Sequence, residues 1–206
     1  MIAMESILSA WDEFKKGKRE KRDVQEFEYR LEDNLFALHR ELIEKQYRHH
    51  PYRAFYIQDP KVRLIHKAIV KDRIVHHLLY RSLNPIFEET FIFDSYSCRK
   101  NKGTHRAVRR LADFTRKVFQ TNGKCFVLKC DVKQFFPSIN QNILLQLISR
   151  RIKDQETLRL VRIIITSFSA TPAPRERERE RVKGARLATL PHNFSPMFIS
   201  MNSTNL

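Results

Sequence analysis

The stretch Phe126-Val-Leu-Lys-Cys-Asp-Val-Lys-Gln-Phe-Phe-Pro-Ser-Ile-Asn140 constrains the fold more than any other part of the chain. Phe126, Val127 and Leu128 form a short apolar run bounded by polar residues, which predicts a buried strand. Asp131 stands at the end of that run, and two aromatics, Phe135 and Phe136, follow it. A carboxylate emerging from a buried strand is costly unless it is paired or holds a cation. The segment therefore asks for a sheet around the run and a partner for the acid.

A chain of 206 residues is long enough for one or two domains with a sizeable core. Its 39 Lys and Arg against 23 acids give a net charge of +16, which suits a polyanionic partner. Binding to a membrane surface is disfavoured, because the basic residues are spread through predicted core elements and form no single amphipathic face. No apolar run approaches a membrane span and no signal-peptide pattern is present, so a cytoplasmic location is expected. Cys98, Cys125 and Cys130 lack zinc-ligand spacing and read as small buried thiols in a reducing compartment.

Hydrophobic periodicity predicts a short helix around Trp11 and Phe14, then a basic patch from Lys15 to Arg22. Asp23 reads as an N-cap with Glu26 three residues on, opening a helix striped by Phe27, Leu31, Leu35, Leu38 and Leu42. Strands are predicted at Ala54–Gln58 and Val62–Ile65, turned by Asp59-Pro60. A helix from about Lys67 to Leu83 should end at Asn84-Pro85. Residues 86–98 show no clear period, and Arg99 to His105 form a basic loop. Further helices are predicted over Thr104–Gln120, Gln141–Ile152 and Gln155–Phe168, with a turn at Asn122-Gly123. His76-His77 has no acid or cysteine at ligand spacing and reads as packing.

Asp131 with its trailing aromatics resembles the first palm motif of reverse transcriptases, D-x-x-x-F/Y-F. The blocks Phe55 to Ile65, Lys71-Asp-Arg-Ile-Val-His-His77 and Phe91 to His105 resemble the fingers of bacterial reverse transcriptases. The likeness covers roughly Phe14 to Phe168. The motif order is most similar to the enzymes of diversity-generating retroelements, and group II intron and retron enzymes share the architecture. The resemblance implies an α+β right-hand polymerase fold with fingers, an incomplete palm and no thumb. It divides the chain into an N-terminal helical segment (1–50), fingers (51–120), the start of the palm (121–170) and a tail (171–206).

It also implies RNA-templated DNA synthesis by two-magnesium nucleotidyl transfer, in which the ions stabilise the attacking and leaving oxygens. Asp131 would be a catalytic metal ligand, and the backbone carbonyl of Val132 another. Phe136 would sit under the sugar of the incoming nucleotide and select deoxynucleotides, although an aromatic there could equally be core. Lys61 and Arg63 alternate on the second predicted strand and so share a face. There they would clamp the triphosphate, the plainer reading being a solvated edge strand. Arg99, Lys100 and Lys102 would contact template backbone, which gives affinity without sequence choice. The implied partners are an RNA template, a DNA primer and deoxynucleoside triphosphates, with two Mg2+ ions in the complete enzyme; whether an accessory protein also binds is left open by the sequence.

The Y-x-D-D turn that such an enzyme also needs occurs nowhere in these residues. From Thr171 the character changes, and Arg175 to Arg181 alternates Arg with Glu. As a helix this would set like charges four apart, so a solvated linker is expected. Arg and Glu also alternate when an AG dinucleotide repeat is translated, and such repeats slip in replication. Read from the third base of each codon, Leu187 to Leu206 can encode G-N-L-T-S-Q-L-F-A-N-V-Y-L-N-E-F-D-Q-F, which resembles the next motif of the family. Met197 before Phe198 forces the Val, and Met201 before Asn202 forces the Glu. The tail is thus expected to be out of frame, and the chain by itself is expected not to polymerise. The alternative is a non-catalytic basic RNA-binding protein built on the same fingers.

Overall fold

Ile7, Ala10, Trp11 and Phe14 recur at helical spacing, and they become the buried face of helix α1, Met4–Lys15, in the computed structural model. The structure describes residues 2–58, 60, 62–132 and 135–168, the side chains of 136 and 137 excepted. These fall into two compact units. One holds the described residues up to Asn84 and from Asn140 onward, and the other holds Pro85–Ile139.

In the first unit the stripe expected as one helix from Asp23 is broken at Arg30, whose backbone leaves helical values at φ −122 and ψ 45. Helix α2 covers Arg22–Tyr29 and helix α3 covers Leu31–Ile43. The Asn34 amide donates to the carbonyl of Phe27 across the break at 2.9 Å. Asp23 is not the cap. It lies in the first turn of α2, and its carboxylate pairs with Lys67 at 2.8 Å and with Arg73. Burial pushes its carboxyl up, but the two cations outweigh burial and hold it below the usual range. The acid therefore clamps α2 to distant parts of the chain, where a cap would have acted locally.

Helix α3 ends in a Schellman turn. Gln46 N–H donates to the Glu41 carbonyl at 2.8 Å and Lys45 N–H to the Leu42 carbonyl at 3.3 Å. The residue between helix and loop must then be left-handed, and Lys45 has φ 61. Glycine is the usual occupant, and a residue with a Cβ costs roughly 1–2 kcal/mol there.

The two strands expected in the first unit are present as β1, Arg53–Gln58, and β2, Val62–Lys67. They pair antiparallel from Arg53 opposite Lys67 to Gln58 opposite Val62. Lys67 stays in the strand, so the next helix, α4, starts later than expected and covers Val70–Glu88. It also runs through Asn84-Pro85, where a stop was expected. Pro85 has no N–H for the carbonyl one turn back, so the helix continues with one bond missing. The boundary between the units falls at this proline.

Val70 and every residue from Asp72 to Leu79 are buried, so the first half of α4 is enclosed on all sides. Leu35, Leu38 and Leu42 of α3 share this core with the α1 face. Two more helices complete the unit: α7, Gln141–Arg151, and α8, Gln155–Ser167, which pack on each other. Asn140 caps α7 by accepting from the amides of Asn142 and Ile143, and Asp154 caps α8 by accepting from Thr157 N–H. Ile148, Ile152, Leu160 and Val161 are their buried contributions.

The second unit holds helix α5, Thr104–Asn122, and the single turn α6, Phe135–Ser138. Gly123, at φ 64, ends α5 by donating to the Phe119 carbonyl at 2.8 Å. None of the described residues in this unit is buried. Val108, Leu111, Phe114, Val118 and Phe119 of α5 are all exposed. The buried strand expected at Phe126–Leu128 is not formed: Phe126 is 90% exposed and Leu128 88%. A strand needs a neighbour for its backbone groups. Among the described residues β1 and β2 pair only with each other, so this run has no ladder to join.

Candidate nucleic-acid interface

The hairpin positions the first group of predicted contacts. Arg63 lies opposite Ile57 in the β1–β2 register and is exposed. It forms no ion pair among the described residues. Several other cations of the unit are committed: Lys67 and Arg73 to Asp23, Lys71 to Glu41 at 2.9 Å, and Arg81 to Glu13 at 3.6 Å. Lys61 lies outside the described residues, as do the Arg–Glu alternation and the tail beyond it.

The loop of the second unit is built around two of its three predicted contacts. The Arg99 guanidinium pairs with Glu88 at 2.8 Å and donates to the carbonyls of Ile92 and Ser95 at 3.0 and 3.1 Å. Its side chain is only 10% exposed, so it organises the loop instead of facing outward. Lys102 donates to the Phe93 carbonyl at 2.7 Å and lies 3.8 Å from the Phe93 ring centroid. Arg110 pairs with Asp94 at 2.9 Å, and that hydrogen bond holds the Asp94 carboxyl below its usual range. Lys100 alone of the three predicted contacts is exposed.

Asp131 and Val132 are both exposed, on a segment without regular structure. Phe136 lies in α6, and its side chain is outside the described atoms. All of these belong to the second unit, whereas Arg63 belongs to the first. Magnesium takes an octahedron of oxygens, with one or two carboxylates completed by phosphates and water. Asp131 with a backbone carbonyl supplies one carboxylate. No cluster of three or more His, Cys, Asp or Glu that could hold a metal occurs among the described residues.

The sequence reading missed a buried polar cluster beside α4. Asp72 has no exposure. It accepts from the Tyr47 hydroxyl at 2.9 Å and from His50 N–H at 2.9 Å. His49 and His76 meet through their Nε2 atoms at 3.0 Å, their rings stacked with centroids 5.0 Å apart. Burial, with the neighbouring His49, His77 and Arg73, holds His76 well below the usual imidazole value. Asp72 thus fixes residues 47–50 against α4. The available signal was in the pattern of α4, where Asp72, His76 and His77 stand among the apolar residues Val70, Ile74, Val75, Leu78 and Leu79.

No described helix is long and apolar enough to cross a membrane. No family model matches the chain. It is 28% identical over 134 residues to Protein YkfC of Escherichia coli K12, an overlap of 64% of this chain and 35% of that protein. It is also 28% identical over 105 residues to Nuclear intron maturase 1, mitochondrial, of Arabidopsis thaliana, an overlap of 49% of this chain and 14% of that one. The chain spans well under half the length of either relative. Over part of its length, then, the chain is distantly similar to an intron maturase.

Proposed function

We propose that the chain is a piece of a reverse-transcriptase-family protein, and that its 206 residues bind RNA without polymerising on their own. The observation that carries this is Arg63, exposed and without an ion pair among the described residues, on a hairpin where Lys67 is matched by Asp23. An exposed arginine with no ion pair among the described residues suits a phosphate, which its planar fork binds in bidentate fashion. The order of blocks leading to Asp131 supports the family. So does the likeness to an intron maturase, since group II intron enzymes are among the near relatives that the motifs suggest.

Polymerisation needs paired carboxylates for its two ions, and these residues contain no Y-x-D-D turn. In a primer-extension assay on poly(rA)/oligo(dT), the purified 206-residue chain is expected to incorporate nothing with magnesium or manganese. Robust incorporation would refute the proposal. Salt-sensitive RNA binding should survive Asp131→Ala and weaken several-fold with Arg63→Gln. Loss of binding in the first variant with retention in the second would reverse the assignment.

A further inference from the structure

A groove of about 770 Å3 opens in the first unit, lined by the segment that follows α3 and by residues of α8. Lys45, Arg48, Arg159, Thr166 and Ser167 are among its lining residues. Three cations face it, and one carboxylate, Glu156, is shared by two of them: Lys45 at 2.8 Å and Arg159 at 3.1 Å. Positive charge is therefore in excess. Arg48 is exposed and has no ion pair among the described residues. The Nη2 of Arg159 is covered and has no acceptor among the described residues, so its guanidinium has a donor to spare there. Lys45 occupies the left-handed position where glycine would be less strained, so the chain carries a backbone cost to keep an ammonium at this spot.

The hydroxyls add a second kind of contact. Thr166 donates its proton to the Arg162 carbonyl at 2.8 Å, and Ser167 donates to that of Ile164 at 2.7 Å. With their protons committed to the helix, these oxygens can only accept. Cations beside acceptor-only hydroxyls match a group that pairs an anion with a nearby donor. A ribose phosphate is such a group, through its phosphate oxygens and its 2′-hydroxyl.

We infer that this groove binds the ribose–phosphate backbone of RNA, with the phosphate on Lys45, Arg48 and Arg159 and the 2′-hydroxyl on Thr166 or Ser167. The inference rests on the RNA-binding reading above and adds a site that the hairpin and loop do not include. For a single strand, each phosphate no longer neutralised by a cation lowers the slope of log affinity against log salt by about 0.7.

The test is fluorescence anisotropy of the full chain with a labelled single-stranded RNA and the DNA of the same sequence, across a salt series. Lys45→Asn with Arg48→Gln should weaken RNA binding about tenfold and flatten the salt slope while a cooperative melting transition shows the chain still folded; asparagine tolerates the left-handed backbone. Thr166→Val should leave the slope alone and narrow the preference for RNA over DNA. Unchanged affinity and slope in the double variant, while Arg63→Gln still weakens binding, would overturn the groove and leave the RNA-binding reading standing. Absence of RNA binding by the unaltered chain would sink both. Backbone amide shifts at Lys45 and Arg48 on adding inorganic phosphate, with RNA affinity unaffected by the variants, would assign the groove to a free anion and overturn the RNA inference.

Discussion

Asp72 is the residue on which the first unit most depends. It is wholly enclosed and holds Tyr47 and the His50 amide by direct hydrogen bonds. Burial and the adjacent anion push the Tyr47 hydroxyl far above its ordinary value, so it remains a donor throughout the accessible pH range. Replacing the acid with alanine strands both donors, at about 1–3 kcal/mol each. Asp72→Ala should therefore lower stability by about 2–5 kcal/mol in urea titration, and Tyr47→Phe by less. The histidines beside it set a pH limit. Burial, with Lys18 and Arg73 nearby, lowers His77 to about 4, while an unfolded imidazole titrates near 6.5. Between those values the unfolded chain binds the proton and the folded chain does not. The contribution of His77 is complete above about pH 6.5 and is lost as pH falls toward 4. The urea midpoint should drop between about pH 7 and about pH 5, and His77→Phe should flatten that drop; an unchanged slope would refute the assignment.

At the scale of elements, periodicity located the helices because a buried stripe must recur at helical spacing wherever a helix packs. Gln141–Arg151 and Gln155–Ser167 match their expected spans within a residue, each opened by the polar cap at its start. The break at Arg30 was not legible, since the apolar stripe runs through it in phase. Nor was the continuation past Pro85, because proline removes one hydrogen bond without preventing helical φ. The run Phe126–Leu128 shows the deeper limit: its alphabet suits a strand, but a strand depends on a neighbour that the run itself does not encode. Of the predicted site, the exposed hairpin cation at Arg63 was legible from alternation. The inward use of Arg99 was not, because Glu88 lies eleven residues away on α4. The end of α3 gives a separate prediction. Lys45→Gly removes the left-handed strain and should stabilise the first unit by about 1 kcal/mol in chemical denaturation, whereas destabilisation would show that the exposed pair with Glu156 outweighs the backbone.

Across the whole molecule, the two units differ in what holds them. The first buries α4 from Asp72 to Leu79 together with the apolar faces of α1 and α3, while the second has no buried residue among those described. Amide exchange follows such differences, since a helix without buried contacts opens at little cost. The amides of α5 should exchange orders of magnitude faster than those of α4 between Ile74 and Leu79, and equal protection would show that α5 is enclosed after all. The exposed segment before Asp131 has a practical consequence as well. Cys130 is exposed there, one residue from the acid, while Cys98 and Cys125 are partly covered. Its thiol is a built-in chemical reporter. A maleimide should label it first, and any binding event that draws Phe126–Leu128 into a sheet will be read as a slowing of that reaction.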